Sequence, residues 1–358
     1  MDTVEANGRQ PRSSHSSLFG MQLACGLVAA LFAATAVALA QTPGPSTPAP
    51  AAFDDAIASA KQLPRLHSLL VSHRGTLVLE RYYNGATATR PANVKSVSKS
   101  VISALTGIAL ERKLIPDVST PIVTYFPQLK TDRDKRKVTI TVEDLLTMRP
   151  GLESTSNRNY GAWVTSKNWV QWALARPMLA GRGEVMDYST GNTHLLSAIL
   201  TQVSKSNTWQ FANDTLARPL GFTLARWPRD PQGIYFGGND MLMTPRQMVT
   251  FGELYLREGR ANGSQVVPER WVARSIEPRG RSSWSGQRYG YGWWVREIAG
   301  HDAYYAWGFG GQYIIVVPAL ELVVAATSSP AVAEDRRTHR VTLFDLIEQQ
   351  IVARIRPA

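Results

Sequence analysis

The chain has 358 residues and a single cysteine, Cys25, which lies in an apolar stretch near the N-terminus. One thiol excludes a disulfide framework and a cysteine zinc site in the folded body, and its position excludes a cysteine nucleophile. Histidine is scarce as well: the six present show no ligand-like spacing, so no metal is expected. No Gly-rich loop follows a strand-like run, which argues against a nucleotide, and no cofactor is expected. Acidic residues are outnumbered 28 to 39, giving a formal charge of +11. The basic residues are scattered, and the densest run, Lys130–Lys137, is broken by Asp132 and Asp134. Such a run reads as a solvated loop, so nucleic acid is not an expected partner. An anionic surface such as membrane lipid or cell-wall polymer is the alternative.

What is present is an ordinary globular composition, 44% hydrophobic and 19% charged, enough for one large core. From Leu18 to Ala40 there is no charge, and the stretch ends Ala38-Leu39-Ala40. Residues 1–40 therefore read as a signal peptide cleaved before Gln41, with a retained membrane anchor over residues 18–40 as the alternative. Either reading makes the body an exported, periplasm-facing domain. Residues 41–62 are a Pro/Ala-rich tether and domain entry, and residues 63–358 the folded domain.

Within that domain, Leu69-Leu70-Val71 and Leu77-Val78-Leu79 flank a Gly-containing turn, a hairpin signal. Ser96 to Lys113 carries apolar residues at spacings of three and four and reads as a helix stopped before Pro116. Thr141 with Asp144 forms a capping box for a second helix. Helical patterns fill the middle: Trp163–Leu174, Asn192–Val203 and Trp209–Ala217. Strand-like runs return at Tyr291–Val295, Ala303–Trp307, Tyr313–Val317 and Leu322–Thr327, and Asp335–Arg354 closes the chain as an amphipathic helix. That order predicts an α+β fold: an antiparallel sheet flanked by terminal helices, with an all-helical lobe inserted over roughly residues 115–235.

Three stretches carry chemistry. In Ser96-Val97-Ser98-Lys99, residues three apart share a helix face, so the hydroxyl and the amine come within hydrogen-bonding reach. Serine needs a base, and lysine serves only when burial lowers its pKa from about 10.4. Ser96 as a plain helix cap is the competing structural reading, since a Ser-x-x-Lys match arises by chance. Tyr188, in Asp187-Tyr188-Ser189-Thr190-Gly191-Asn192, is placed to share a proton with Lys99. The run Ala306-Trp307-Gly308-Phe309-Gly310-Gly311-Gln312 suits close backbone approach to a ligand, with an N–H aimed at a developing oxyanion. His301-Asp302 lies near it in sequence and is a further candidate pocket residue.

Together these stretches resemble the penicillin-recognising serine hydrolases, the branch with class C β-lactamases, D-alanyl-D-alanine peptidases, family VIII esterases and 6-aminohexanoate-dimer hydrolase. Leu145-Leu146-Thr147-Met148-Arg149-Pro150-Gly151-Leu152, Gly237-Gly238-Asn239-Asp240-Met241 and Tyr289-Gly290-Tyr291-Gly292-Trp293 resemble further motifs of that family, in order. The resemblance implies a β-lactamase/transpeptidase-like fold and catalysis by Ser96, Lys99 and Tyr188. It also implies an oxyanion hole from the backbone of Ser96 and Phe309, and a pocket including Asn192, Trp307, Gly308 and Gly310. Two departures stand out. Thr190 occupies the place of the second motif's Asn, with Asn192 two residues on, and Ala306 replaces the third motif's cation. The missing cation disfavours penicillins and D-Ala-D-Ala peptides and points to small esters or amides. A β-lactamase or carboxypeptidase, and a non-catalytic cell-wall-binding member of the fold, are the alternatives.

Overall fold

The computed structural model describes residues 50–356, so the expected signal or anchor over residues 1–40 and its Cys25 lie outside the described residues. Helix α1 (Asp54–Lys61) comes first, within the segment expected to be tether and entry. Strands β1 (Leu66–His73) and β2 (Thr76–Tyr82) follow as the expected hairpin. Its two turn residues, Arg74 and Gly75, both take positive φ (53° and 73°), the backbone that matches the strands' twist.

Helix α2 spans Ser98–Glu111 and is preceded by a 3-10 turn at Lys95–Val97. The predicted helix start at Ser96 therefore falls in this turn rather than in regular helix. Helix α3 (Val142–Leu146) has the expected capping box of Thr141 and Asp144. The single helix expected over Trp163–Leu174 is two, Tyr160–Val164 and Trp169–Leu174. Asn168 divides them, because its side chain accepts from the Gln171 N–H and starts a new helix. Helix α4 (Thr190–Ser204) and helix α5 (Pro245–Leu256) lie on the same side.

Six more strands come late: β3 (Gly280–Arg281), β4 (Arg288–Tyr289), β5 (Trp294–Ile298), β6 (His301–Gly308), β7 (Gln312–Val317) and β8 (Leu322–Ser328). Helix α6 (Arg336–Gln350) ends the fold. The eight strands form one sheet in the order β2-β1-β8-β7-β6-β5-β4-β3, antiparallel throughout.

Alternation along the strands separates two cores. Ile314 and Val316 of β7 join Val101, Leu105 and the helical lobe on one face. Tyr313, Ile315 and Val317 join Phe53, Leu343 and Ile347 of the terminal segments on the other. Both faces are covered, so the central strands are buried along their length, and the site forms where α2, the lobe and the end of β6 meet. The antiparallel sheet between terminal helices, with a helix-rich insertion, is the architecture the sequence predicts. Among the described residues no helix is long and apolar enough to cross a membrane.

Candidate active site

The turn bearing Ser96 is held from several sides. Lys95 takes a left-handed φ of 51°, and its N–H donates to Asn93 Oδ1 at 3.0 Å. Asp240 Oδ1 accepts from Asn93 Nδ2 at 2.9 Å and from Lys95 Nζ at 2.7 Å. Ser98 Oγ donates to the Lys95 carbonyl at 2.6 Å and accepts from the Met241 N–H at 3.1 Å. A non-glycine residue at positive φ is a strained conformation that its surroundings must hold in place. No side chain caps the turn or α2, so Ser96 does not serve as a helix cap.

Lys99, one turn on, is 1% exposed. Its Nζ lies 3.0 Å from Ser96 Oγ, 2.5 Å from the Gly238 carbonyl oxygen and 3.5 Å from Thr190 Oγ1. Burial pushes its pKa down from 10.5 to about 7, and only Asp240 pulls the other way. A neutral amine has two N–H bonds and one lone pair. With the N–H bonds on Gly238 and Thr190, the lone pair faces the Ser96 hydroxyl, the geometry a general base needs.

Tyr188 completes the group. Lys99 Nζ sits 4.8 Å from the centre of its ring. Burial raises the phenol's pKa, and a hydrogen bond with the Ser96 side chain opposes that rise. The ring stacks on Trp294 (5.7 Å, 21°) and meets Tyr289 edge-on (6.1 Å). Its carbonyl accepts from Ser154 Oγ at 2.7 Å.

The second-motif departure has a geometric outcome. Thr190 hydroxyl reaches Lys99, and Ser156 Oγ lies 3.0 Å from it. Asn192, expected in the pocket, is 3% exposed and directs its amide at Met148 Sδ, 3.7 Å away. Residues two apart on a helix point about 200° apart, so Asn192 cannot take the place Thr190 holds.

Gly238, part of the Gly237-Gly238-Asn239-Asp240-Met241 motif, supplies the nearest acceptor of Lys99 through its carbonyl. A Cβ on Gly237 would lie 2.2 Å from the Thr193 carbonyl oxygen, and one on Gly238 2.4 Å from that of Thr190. The pair is thus what lets this segment lie against the start of α4. His194 Nδ1 accepts from the Gly237 N–H at 3.4 Å, while its Nε2 meets Asp230 at 3.0 Å in full burial. Beyond Gly238, Asn239 Nδ2 donates to the Tyr160 hydroxyl at 2.9 Å.

At the third motif, Ala306 is buried, and Trp307 stands half-buried beside it. A Cβ on Gly308 would fall 2.3 Å from the Val94 carbonyl oxygen. Glycine there lets the end of β6 lie against the residue two before Ser96. Phe309, Gly310 (φ 92°) and Gly311 (φ 106°) turn the chain into β7. Gln312, fully buried, fixes that turn through the Ser328 carbonyl at 2.7 Å, the Ser328 N–H at 3.0 Å and the Phe309 carbonyl at 3.4 Å. His301 and Asp302 begin the same strand seven residues from Gly308. That is about 20 Å away along the strand, so they do not line this pocket.

The Beta-lactamase family profile matches residues 67–346. The chain belongs to the Beta-lactamase family. Among curated proteins the chain is similar to the 6-aminohexanoate-dimer hydrolase of Paenarthrobacter ureafaciens, 24% identical over 335 residues, covering 82% of each chain. Among solved structures, EstCE1, described as a hydrolase with promiscuous acyltransferase activity, superposes with a TM-score of 0.66 at 17% identity. It covers 83% of this chain and 97% of its own. A penicillin-binding protein homolog from Caulobacter crescentus gives 0.66 at 14% identity over 86% and 99%. At such identities the structures speak for the Beta-lactamase fold alone.

Proposed function

We propose that this Beta-lactamase family member is a serine hydrolase that forms an acyl-enzyme on Ser96 and hydrolyses small esters or amides. The observation that carries the reading is the Lys99 amine, fully buried, near neutral in pKa and 3.0 Å from Ser96 Oγ. Ser96 Oγ attacks the substrate carbonyl carbon as its proton passes to the coupled Lys99–Tyr188 pair. The oxyanion is held by the backbone N–H groups of Ser96 and Phe309. The pair then gives the proton to the departing oxygen or nitrogen as its bond to carbon breaks. Water attacks the acyl ester, releases the acid and returns a proton to Ser96.

The ester or amide substrate follows from Ala306, which offers no charge where a substrate carboxylate would be held. A chromogenic cephalosporin is accordingly expected to be turned over slowly or not at all, and efficient turnover would reverse this reading of Ala306. The name of the Paenarthrobacter relative supports an amide and that of EstCE1 supports hydrolysis in general, each as a property of that protein. We further propose that the domain is exported and faces the periplasm. The hydrolase test is treatment with a fluorophosphonate probe and p-nitrophenyl esters. Wild-type protein is expected to label and turn over, and Ser96→Ala to do neither. Equal turnover by Ser96→Ala overturns the proposal.

A further inference from the structure

On the α6 side of the sheet, three indoles close on one another: Trp284 from the β3–β4 loop, Trp294 at the start of β5 and Trp307 near the end of β6. Their ring centres are 5.9 Å, 6.0 Å and 6.3 Å apart. With Tyr305 and Gln287, which are hydrogen-bonded to each other, they border a cavity of about 190 Å³. Sites for whole drug-sized ligands run to about 300–1,000 Å³, so this one takes one or two rings. Trp294 is stacked on Tyr188, and Trp307 is bonded to Gly308. The cavity therefore adjoins the reacting groups with a single aromatic ring between.

A tryptophan cage suits either an organic cation or a flat aromatic ring. Charge decides between them. The Arg340 guanidinium already lies over Trp307, 5.4 Å from its centre, with no ion pair among the described residues. Arg336, one turn earlier, lies 4.2 Å from the centre of Phe309. Arg296 on the opposite wall is paired with Glu348 at 3.5 Å, and exposed Asp345 supplies the one carboxylate at the rim. A cationic ligand would meet these arginines, whereas a carboxylate would find Arg340 without an anion. Trp307 Nε1 is shielded from solvent and has no partner among the described residues, a donor facing no acceptor.

We propose that this cavity is a subsite for a flat aromatic group bearing a free carboxylate, which makes esters or amides that carry a separate, free aryl carboxylate the substrate class of Ser96. The proposal rests on the hydrolase reading for its link to turnover, but binding can be read without turnover. Calorimetric titration of Ser96→Ala with 2-naphthoate tests it. Saturable binding is expected, weakened at least about tenfold by Trp284→Ala and by Arg340→Gln in the same background. Trp172→Phe, which alters an arginine-stacked indole on the helical lobe, is expected to leave it unchanged. Absence of binding, equal binding after Arg340→Gln, or tighter binding of 2-naphthyltrimethylammonium would each overturn the proposal. Wild-type protein that labels with fluorophosphonate yet ignores naphthoate retains its nucleophile and loses the subsite. Naphthoate binding without labelling supports the subsite and sinks the hydrolase reading.

Discussion

Among the described residues two lysines are buried, Lys99 beneath the Ser96 turn and Lys137 in the helical lobe, 1% and 4% exposed. They are satisfied by opposite means. Lys137 Nζ donates to the Asp132 carboxylate and to the Leu174 carbonyl, each at 2.9 Å. Lys99 meets only neutral oxygens, while the nearby Asp240 is engaged by Lys95 and Asn93. Pairing with a carboxylate favours the charged form, and burial among neutral oxygens disfavours it. One lysine sits in an ion pair, and the other is the amine that the proposed mechanism uses as a base. Depth of burial alone does not tell a structural amine from a chemical one; the partner does.

The largest break in the comparison comes from swapping each amine for a similar apolar volume. Lys99→Met is expected to lower kcat/KM for p-nitrophenyl esters at least about 1,000-fold, by loss of the base. It should also stabilise the fold. A lysine whose pKa falls from 10.5 to about 7 on folding costs roughly 5 kcal/mol below pH 7. That cost shrinks as pH rises from about 7 to 10.5, because the unfolded chain binds the extra proton there. Calorimetric Tm of Lys99→Met should therefore exceed wild type by several degrees at pH 7, with the gain fading towards pH 10. A lower Tm at pH 7 would count against a desolvated amine. Lys137→Met should do the reverse: activity kept and stability reduced by about 1–3 kcal/mol, since Asp132 loses its ion pair and Leu174 its donor.

Gly238→Ala sharpens the contrast next. A Cβ 2.4 Å from the Thr190 carbonyl forces the segment away from α4 and takes the Gly238 carbonyl off Lys99. A fall in kcat of about 10- to 100-fold is expected, and unchanged kcat would remove Gly238 from the proton path. The smallest effect is on pH dependence. Activity should fall as pH drops through about 7, as Lys99 gains its proton. Asp240 raises that pKa, so Asp240→Asn should move the acid limb to lower pH by a fraction of a unit. A shift to higher pH would contradict the assignment.

Much of this was legible because it is local. The hairpin turn, the Thr141–Asp144 box and the Ser96–Lys99 spacing are settled within four residues of chain. What the sequence did not yield is set by distance or by helical phase. The Gly238 carbonyl reaches Lys99 from 139 residues away. Asn192 is excluded by its angle on α4, which only the observed start of that helix at Thr190 defines. The break at Asn168 was written in a side chain able to cap, but the apolar period of the tryptophans on either side hid it.

The acceptor that takes one N–H of Lys99 is a peptide carbonyl, and it has no codon of its own. No exchange of side chain deletes it; sequence change reaches it only through the two glycines that let the chain approach. The tryptophans and arginines at the rim, by contrast, are each one substitution from a different chemistry. Laboratory evolution for new substrates is therefore expected to rewrite residues 284, 307 and 340 freely, while the proton path beneath them stays as it is.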